Sequence, residues 1–234
     1  MCAGLITIDE ESDIIRLVHY STQEYFEQIR GEWNPKAQLD MASTCLTYLS
    51  FGTFRSGNCS SDIDFERRLE QHVFLDYAAR YWVRHMLLVQ EEVCELALLF
   101  LQSSSLVSCA VQAMSVSTYK WGDYSQQFPR QTLGMHLAAQ FGLLHLLKEL
   151  LSRSGKDVFV PADSKNSYGQ MPLSMAAEEG HEAVVKLLVE RDDVEADSKD
   201  NNGQTPLLMA VEEGHEAVVR LLRSRLTSPR EPPE

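Results

Sequence analysis

The stretch DSKNSYGQMPLSMAAEEGHEAVVKLLVE, Asp163–Glu190, returns 34 residues later as DSKDNNGQTPLLMAVEEGHEAVVRLLRS, Asp197–Ser224. Of the 28 aligned positions 19 are identical. Unrelated segments of ordinary composition would match at about one position in fifteen, so the second copy is a duplication of the first. Gly169 and Gly203 fall where a tight turn needs a positive φ. Pro172 and Pro206 follow at a first helical position, where a missing amide hydrogen costs nothing, and Gly180 and Gly214 close that helix. Leu173, Met175 and Ala176, matched by Leu207, Met209 and Ala210, pack the first helix, and the small alanines allow close helix approach. Val184, Val185, Leu187 and Leu188, matched by Val218, Val219, Leu221 and Leu222, form the apolar stripe of a second helix. Helix–turn–helix units with a hairpin-like turn in front, at this period, stack into a solenoid that offers an extended binding surface.

The repetition extends upstream. Leu133–Gly142 aligns with Met171–Gly180 and makes a divergent first copy, 38 residues before the next. The added length falls around Ser152 to Ala162, where Gly155 and Pro161 predict a longer finger. Val189 is matched by Arg223 and Glu190 by Ser224, the polar change expected of an end that no further repeat covers, so the array is expected to stop there. Two good copies and one poor one are close to the minimum for a free-standing solenoid, and the helices before Thr132 are expected to cap the open end. Beyond Leu226 the sequence Thr-Ser-Pro-Arg-Glu-Pro-Pro-Glu cannot continue a helix and is expected to be disordered.

Ahead of the repeats, Leu5–Ile8 and Ile14–Val18 read as β-branched strands around a polar turn, a hairpin that must dock on something to be stable. Ser21-Thr-Gln-Glu24 reads as a capping box opening a helix through Tyr25, Phe26 and Ile29. Asn34-Pro35 starts another, with Leu39, Ala42, Cys45, Leu46 and Leu49 on one face. From Asp62 to Met86, residues Phe65, Leu69, Val73, Tyr77 and Tyr81 fall four apart, flanked by Phe74, Ala78, Trp82 and His85, and predict a buried stripe with a break near His72. Val93–Leu101 and Leu106–Val116 predict two more helices around a serine-rich cap. Tyr119–Arg130, with Gly122, Asp123 and Pro129, marks the junction. The expected organisation is therefore a hairpin and helix over 1–33, a helical bundle over 34–118, a linker over 119–130, repeats over 131–226 and a tail over 227–234. The fold class is mainly α.

Composition narrows the function. With 34 acidic against 21 basic residues the net charge is −13, which argues against nucleic acid and against an anionic membrane surface. The 5 cysteines, Cys2, Cys45, Cys59, Cys94 and Cys109, are odd in number and lack a C-x-x-C pair, which fits reduced thiols and an intracellular, cytoplasmic setting. Asn58-Cys59-Ser60 matches a glycosylation acceptor but carries no meaning in that setting. No apolar run is long enough to cross a bilayer, and the start lacks a signal pattern.

The chemistry-bearing patterns fall short of sites. Leu150 stands where a phosphate loop ending in Gly155-Lys156-Asp157 would need its first glycine, and Asp157 where it needs a hydroxyl. His181-Glu182 and His215-Glu216 begin like a zinc helix, but Val185 and Val219 occupy the second histidine position. Asp192, Asp193, Glu195, Asp197 and Asp200 lack calcium-loop spacing and a closing glutamate. The pairs Glu178-Glu179 and Glu212-Glu213 splay around a helix end, and His19 with Ser21 has no orienting acid. No catalytic residue, cofactor or metal is expected.

The repeats resemble the ankyrin family over about Gln131 to Leu226, through its T-P-L-H-x-A-A and G-H-x-x-V-V-x-L-L pattern. Gly134 replaces the motif proline in the first copy, Ser174 and Leu208 replace the motif histidine in the later two, and Val211 replaces the second alanine. Val18-His-Tyr-Ser-Thr-Gln-Glu-Tyr-Phe26 and Phe74-Leu-Asp-Tyr-Ala-Ala-Arg-Tyr-Trp82 look like the region between the nucleotide-binding core and the repeats in fungal NACHT-ankyrin proteins of the STAND type. That resemblance implies a winged-helix remnant, a helical bundle, and a regulatory or sensor role beside an NTPase core outside this chain. The ankyrin resemblance implies a non-enzymatic interaction module that uses turn tips and the concave face of the first helices: Ser167, Tyr168, Gln170, Glu178, Glu179, Asn201, Asn202, Gln204, Glu212 and Glu213. From Asp163 to Glu216, 13 acids oppose 4 bases, so the expected partner is a protein with a basic or polar surface.

Overall fold

A helix stack whose third copy repeats its second must still begin somewhere, and here α-helical chain ahead of the first copy packs on that beginning. The computed structural model describes residues 6–9, 14–17, 20–116, 121–153 and 161–227. Outside the described residues lie Cys2, the polar turn at 10–13, His19, residues 117–120 at the end of the bundle and the start of the junction, most of the expected finger (154–160) and the tail from 228.

Strands β1 (Ile6–Asp9) and β2 (Ile14–Leu17) pair antiparallel, with Ile6 opposite Leu17 and Ile8 opposite Ile15. Everything described after them is helix or connection. Helix α1 spans Tyr20–Trp33; it begins one residue before Ser21, so Ser21 lies in the first turn and the expected capping box does not form there. Tyr20 and Tyr25 on this helix are exposed. Helix α2 spans Ala37–Leu49 and buries Ala42, Cys45, Leu46 and Leu49. Asn34 contributes its backbone carbonyl to the amide of Ala37, and Pro35 stands outside the helix instead of at its first position.

Helix α3 (Asp62–Gln71) is capped by the Ser61 hydroxyl, which accepts from the Asp64 amide at 3.2 Å. The chain breaks at His72 and restarts as α4 (Leu75–Met86). That break resets the helical phase, so the stripe of every fourth residue does not stay buried: Val73 is 85% exposed, and Tyr81 also reaches solvent. The buried face of α4 is Leu75, Ala78, Ala79, Trp82, Val83 and Met86. Helices α5 (Cys94–Leu101) and α6 (Ser104–Ser115) meet at 92°, with Ser103 capping the second. No single described helix is long and apolar enough to cross a membrane.

The junction is packed. Gln112, fully buried on α6, donates to the carbonyls of Cys59 and Ser125, both at 2.9 Å, and accepts from the Cys59 amide at 2.7 Å. Asp62 accepts from both the amide and the hydroxyl of Ser125, which holds its carboxyl below the usual range. Three partners to one buried side chain satisfy groups that would otherwise be costly to bury.

The repeats are α7 (Gly134–Gln140) with α8 (Leu144–Arg153), α9 (Pro172–Glu178) with α10 (Glu182–Val189), and α11 (Pro206–Glu212) with α12 (Glu216–Thr227). The odd-numbered helices of these pairs stack in one row and the even-numbered in the other. Helix α5 packs on both α7 and α8. Trp82 sits edge-on to Phe100 at 5.4 Å and to Phe141 at 6.3 Å, and Arg153 reaches Glu95 at 2.8 Å. The buried apolar residues from Ala42 to Leu222 accordingly form one cluster spanning bundle and repeats.

The divergent first copy has a physical reason. A Cβ on Gly134 would fall against the Leu101 backbone and 2.7 Å from its Cβ; the proline of the two later copies has no room there because α5 occupies the place. At the far end Arg223 is exposed as its sequence suggests, but Leu208 and Val211 are exposed on the same end. The polar-end expectation therefore holds for α12 and fails for α11.

Candidate binding face

Each of the two later tips is built by one buried carboxamide or carboxylate. Asn166 Oδ1 accepts from the amides of Tyr168 at 2.9 Å and Gln170 at 3.0 Å. One copy later Asp200 Oδ1 accepts from Asn202 at 2.9 Å and Gln204 at 2.8 Å. An acceptor in this position closes the turn on itself, and the following Gly169 and Gly203 take φ of 76° and 80°. The turn-closing role of Asn166 and Asp200 does not stand out from the repeat, because the two residues differ between copies. The signal was nonetheless present, since both are short side chains with an oxygen three residues before a glycine.

The tips are tied to one another. Ser167 donates its amide to the Arg130 carbonyl at 2.8 Å, its hydroxyl accepts from the Arg130 amide at 2.8 Å, and its carbonyl accepts from Asn201 Nδ2 at 2.9 Å. The Asn201 amide donates to the Tyr168 carbonyl at 3.0 Å. Ser167 and Asn201 are thus engaged in holding the stack, although both remain exposed. Tyr168 is 45% exposed at the tip, and Asn202 is exposed one copy further.

Behind the tips lie the two glutamate pairs, one on each of α9 and α11 and its following residue. Gln204 Nε2 donates to Glu212 at 2.8 Å, and Gln170 stands 3.5 Å from Glu178 in the same arrangement. Gln170 and Gln204 therefore steer the first glutamate of each pair. No described lysine or arginine pairs with Glu178, Glu179, Glu212 or Glu213. Partial burial, followed by the charges of Glu179, Glu213 and Asp200, pushes the Glu178 carboxyl above its ordinary range. A cation brought to this face would relieve that repulsion.

The histidines act as ties in the stack. His181 Nε2 donates to the Gln140 carbonyl at 2.8 Å and His215 Nε2 to the Glu178 carbonyl at 2.9 Å, each bridging to the preceding copy. In the acidic run, Arg191 forks onto Asp193 at 2.7 and 2.8 Å, and Arg225 lies 3.7 Å from Asp192. No cluster of metal-ligating side chains occurs among the described residues. An open cavity of about 530 Å³ between α2 and α4 is lined by Gln38, Tyr77, Tyr81, Arg84, His85 and Leu88. Within it His85 bridges Tyr77 Oη at 2.9 Å and Gln38 Oε1 at 3.0 Å.

His136, the one motif histidine present, is fully buried. Its Nδ1 accepts from the Leu133 amide at 3.1 Å, and Nε2 donates to the Gln170 carbonyl at 3.2 Å. That pairing requires the neutral ring, and burial lowers its pKa to about 4. Below its unfolded value of 6.5 the unfolded chain binds a proton that the folded one refuses. The stability it contributes is fully present above pH 6.5 and is lost as pH falls toward about 4. Thermal melts across this window should show that loss, and His136→Gln should flatten the dependence; an unchanged slope would contradict this role.

A family model described as Ankyrin repeats (3 copies) matches residues 135–229, taking in the divergent first copy and both later ones. Repeats of this family are in general protein–protein interaction modules. A search of the curated proteins gave no match to the chain.

Proposed function

We propose that the chain is a non-enzymatic, intracellular interaction module that holds a protein partner with a basic surface along its tips and the α9–α11 row. The observation that carries this reading is the pair of unneutralised glutamate doublets, one above the other in the stack, with Tyr168 exposed at the adjoining tip. An aromatic at a tip supplies contact area at low entropic cost, and the acidic row supplies charge complementarity and orientation. The stack supplies rigidity: Asn166 and Asp200 fix the turns, and the histidine ties fix the spacing between copies.

Affinity purification with the full chain tests this. Tyr168→Ala combined with Glu178→Lys and Glu179→Lys should remove most specifically captured protein, a loss of tenfold or more given about 2 kcal/mol for an aromatic anchor alone. Capture of the same partners at the same yield by this variant would overturn the assigned face.

The strand pair and α1 favour a second, wider reading, in which the bundle and repeats form the regulatory part of a NACHT-type switch. In it the bundle transmits occupancy of the binding face to an NTPase core carried elsewhere in a longer form of the protein. The shared core of bundle and repeats supports this, because a rigid link is what such transmission needs. Transcript sequencing discriminates: an in-frame upstream segment encoding a phosphate loop supports the switch, and transcripts that all open at Met1 remove it.

A further inference from the structure

The interface between the second and third copies is a template for what the next face can hold. On α9, which packs against α11, Ser174 and Ala177 are 1% and 0% exposed. Their counterparts on α11, one repeat later, are Leu208 and Val211, at 47% and 48% exposure. The change runs opposite to what solvent favours, since a small polar and a small apolar residue have become two larger apolar ones at the uncovered position. The two lie three apart on one helical face, where side chains are neighbours. Gly180 packs directly on the His215 ring, whereas the equivalent place beside Gly214 is open.

This end is also electrically two-ended. Glu212 and Glu213 stand at the turn that joins α11 to α12, and Arg223 stands on α12 seven residues beyond Glu216, about 10 Å along the axis. Arg223 replaces Val189, whose place in the preceding copy is buried, and is itself exposed. Its side chain has no described partner. A surface with an apolar middle, an acidic pole and a basic pole is complementary to itself when turned over. Head-to-tail stacking is closed off, because the opposite end of the array is occupied by α5. A face that meets its own copy has the isologous arrangement of a two-fold dimer.

We propose that the α11–α12 end is a self-association face that pairs with the same face of a second copy of this chain. The two α11 helices run antiparallel, so that Leu208 of one copy packs on Val211 of the other and each Arg223 meets the opposing acidic pole. A face one repeat wide is at the small end of specific interfaces, below about 1,200 Å² in total, so the dimer is weak and concentration-dependent.

Sedimentation equilibrium of the full chain over a wide concentration range tests the pairing. The expected result is a reversible monomer–dimer equilibrium that weakens with added salt. Leu208→Ser with Val211→Ala installs the residues of the preceding copy at exposed positions and should raise the dissociation constant tenfold or more, with an unchanged melting temperature in dilute solution. Arg223→Glu should weaken the dimer similarly, and adding Glu213→Arg should restore part of the loss. A chain that stays monomeric throughout, or a dimer indifferent to both sets of substitutions, overturns the proposal.

Discussion

Alanine at position 82 is expected to cost about 3–5 kcal/mol of unfolding free energy, the range for removing a large buried aromatic from a core. Trp82 is the largest fully buried side chain described, and it touches Phe100 of the bundle and Phe141 of the first repeat at once. Its loss therefore opens a cavity at the seam and not inside one part. Urea denaturation followed by circular dichroism should show the whole transition moving to lower denaturant. Separation into two transitions, with the repeats unaffected, would mean that the seam does not couple them. Phenylalanine at 82 should cost less than alanine. It keeps both edge contacts, and it removes an indole N–H that is buried without a hydrogen-bond partner, a group whose burial alone costs about 1–3 kcal/mol.

Gly134→Ala is the second large effect, about 3 kcal/mol, at the top of the usual range for overpacking. Most inserted methyl groups are absorbed by side chains that shift, but here the obstacle is the Leu101 backbone at the end of α5. Backbone at a helix end cannot move without disturbing the packing of α5 on both helices of the first copy. Gly122→Ala is the matched control: a Cβ there meets nothing within 4 Å, and the change should stay within about 0.5 kcal/mol. Differential scanning calorimetry of the pair measures the contrast. Equal melting temperatures would show that the first copy does not lean on α5 as closely as the packing indicates.

How much of this was legible in the sequence depended on whether the cause was local. Pro172, Pro206, Gly169 and Gly203 act through their own backbone angles, and duplication displayed each twice, so their roles were readable. Gly134 was readable as a departure from the later copies but not as a fit, because its reason lies 33 residues earlier in Leu101. The stripe from Phe65 to Tyr81 failed for a different reason. A helix period counts only within one helix, and the break at His72 lets Val73 face solvent while the flanking Trp82 takes the centre of the core.

The candidate face divides the same way. The glutamate doublets and Tyr168 were readable as exposed residues because repetition fixed where helix ends and tips fall. Ser167 and Asn201 carry a second duty that only the stacked structure displays: they bridge neighbouring tips through backbone groups of Arg130 and Tyr168. Substitution at either would confuse lost contact with a loosened stack. Tyr168, Glu179 and Glu213, whose side chains make no described hydrogen bond to a tip, are the cleaner probes.

Site-specific photo-crosslinking tests the binding face most directly. A benzophenone amino acid placed at Tyr168, at Glu213 and, as the control on the other helix row, at Lys186 of the full chain would report which surface the partner touches in cell extract. The binding reading predicts that one basic protein is captured from positions 168 and 213 and not from 186. The same adduct from position 186 alone, or equal yields from all three positions, would contradict it.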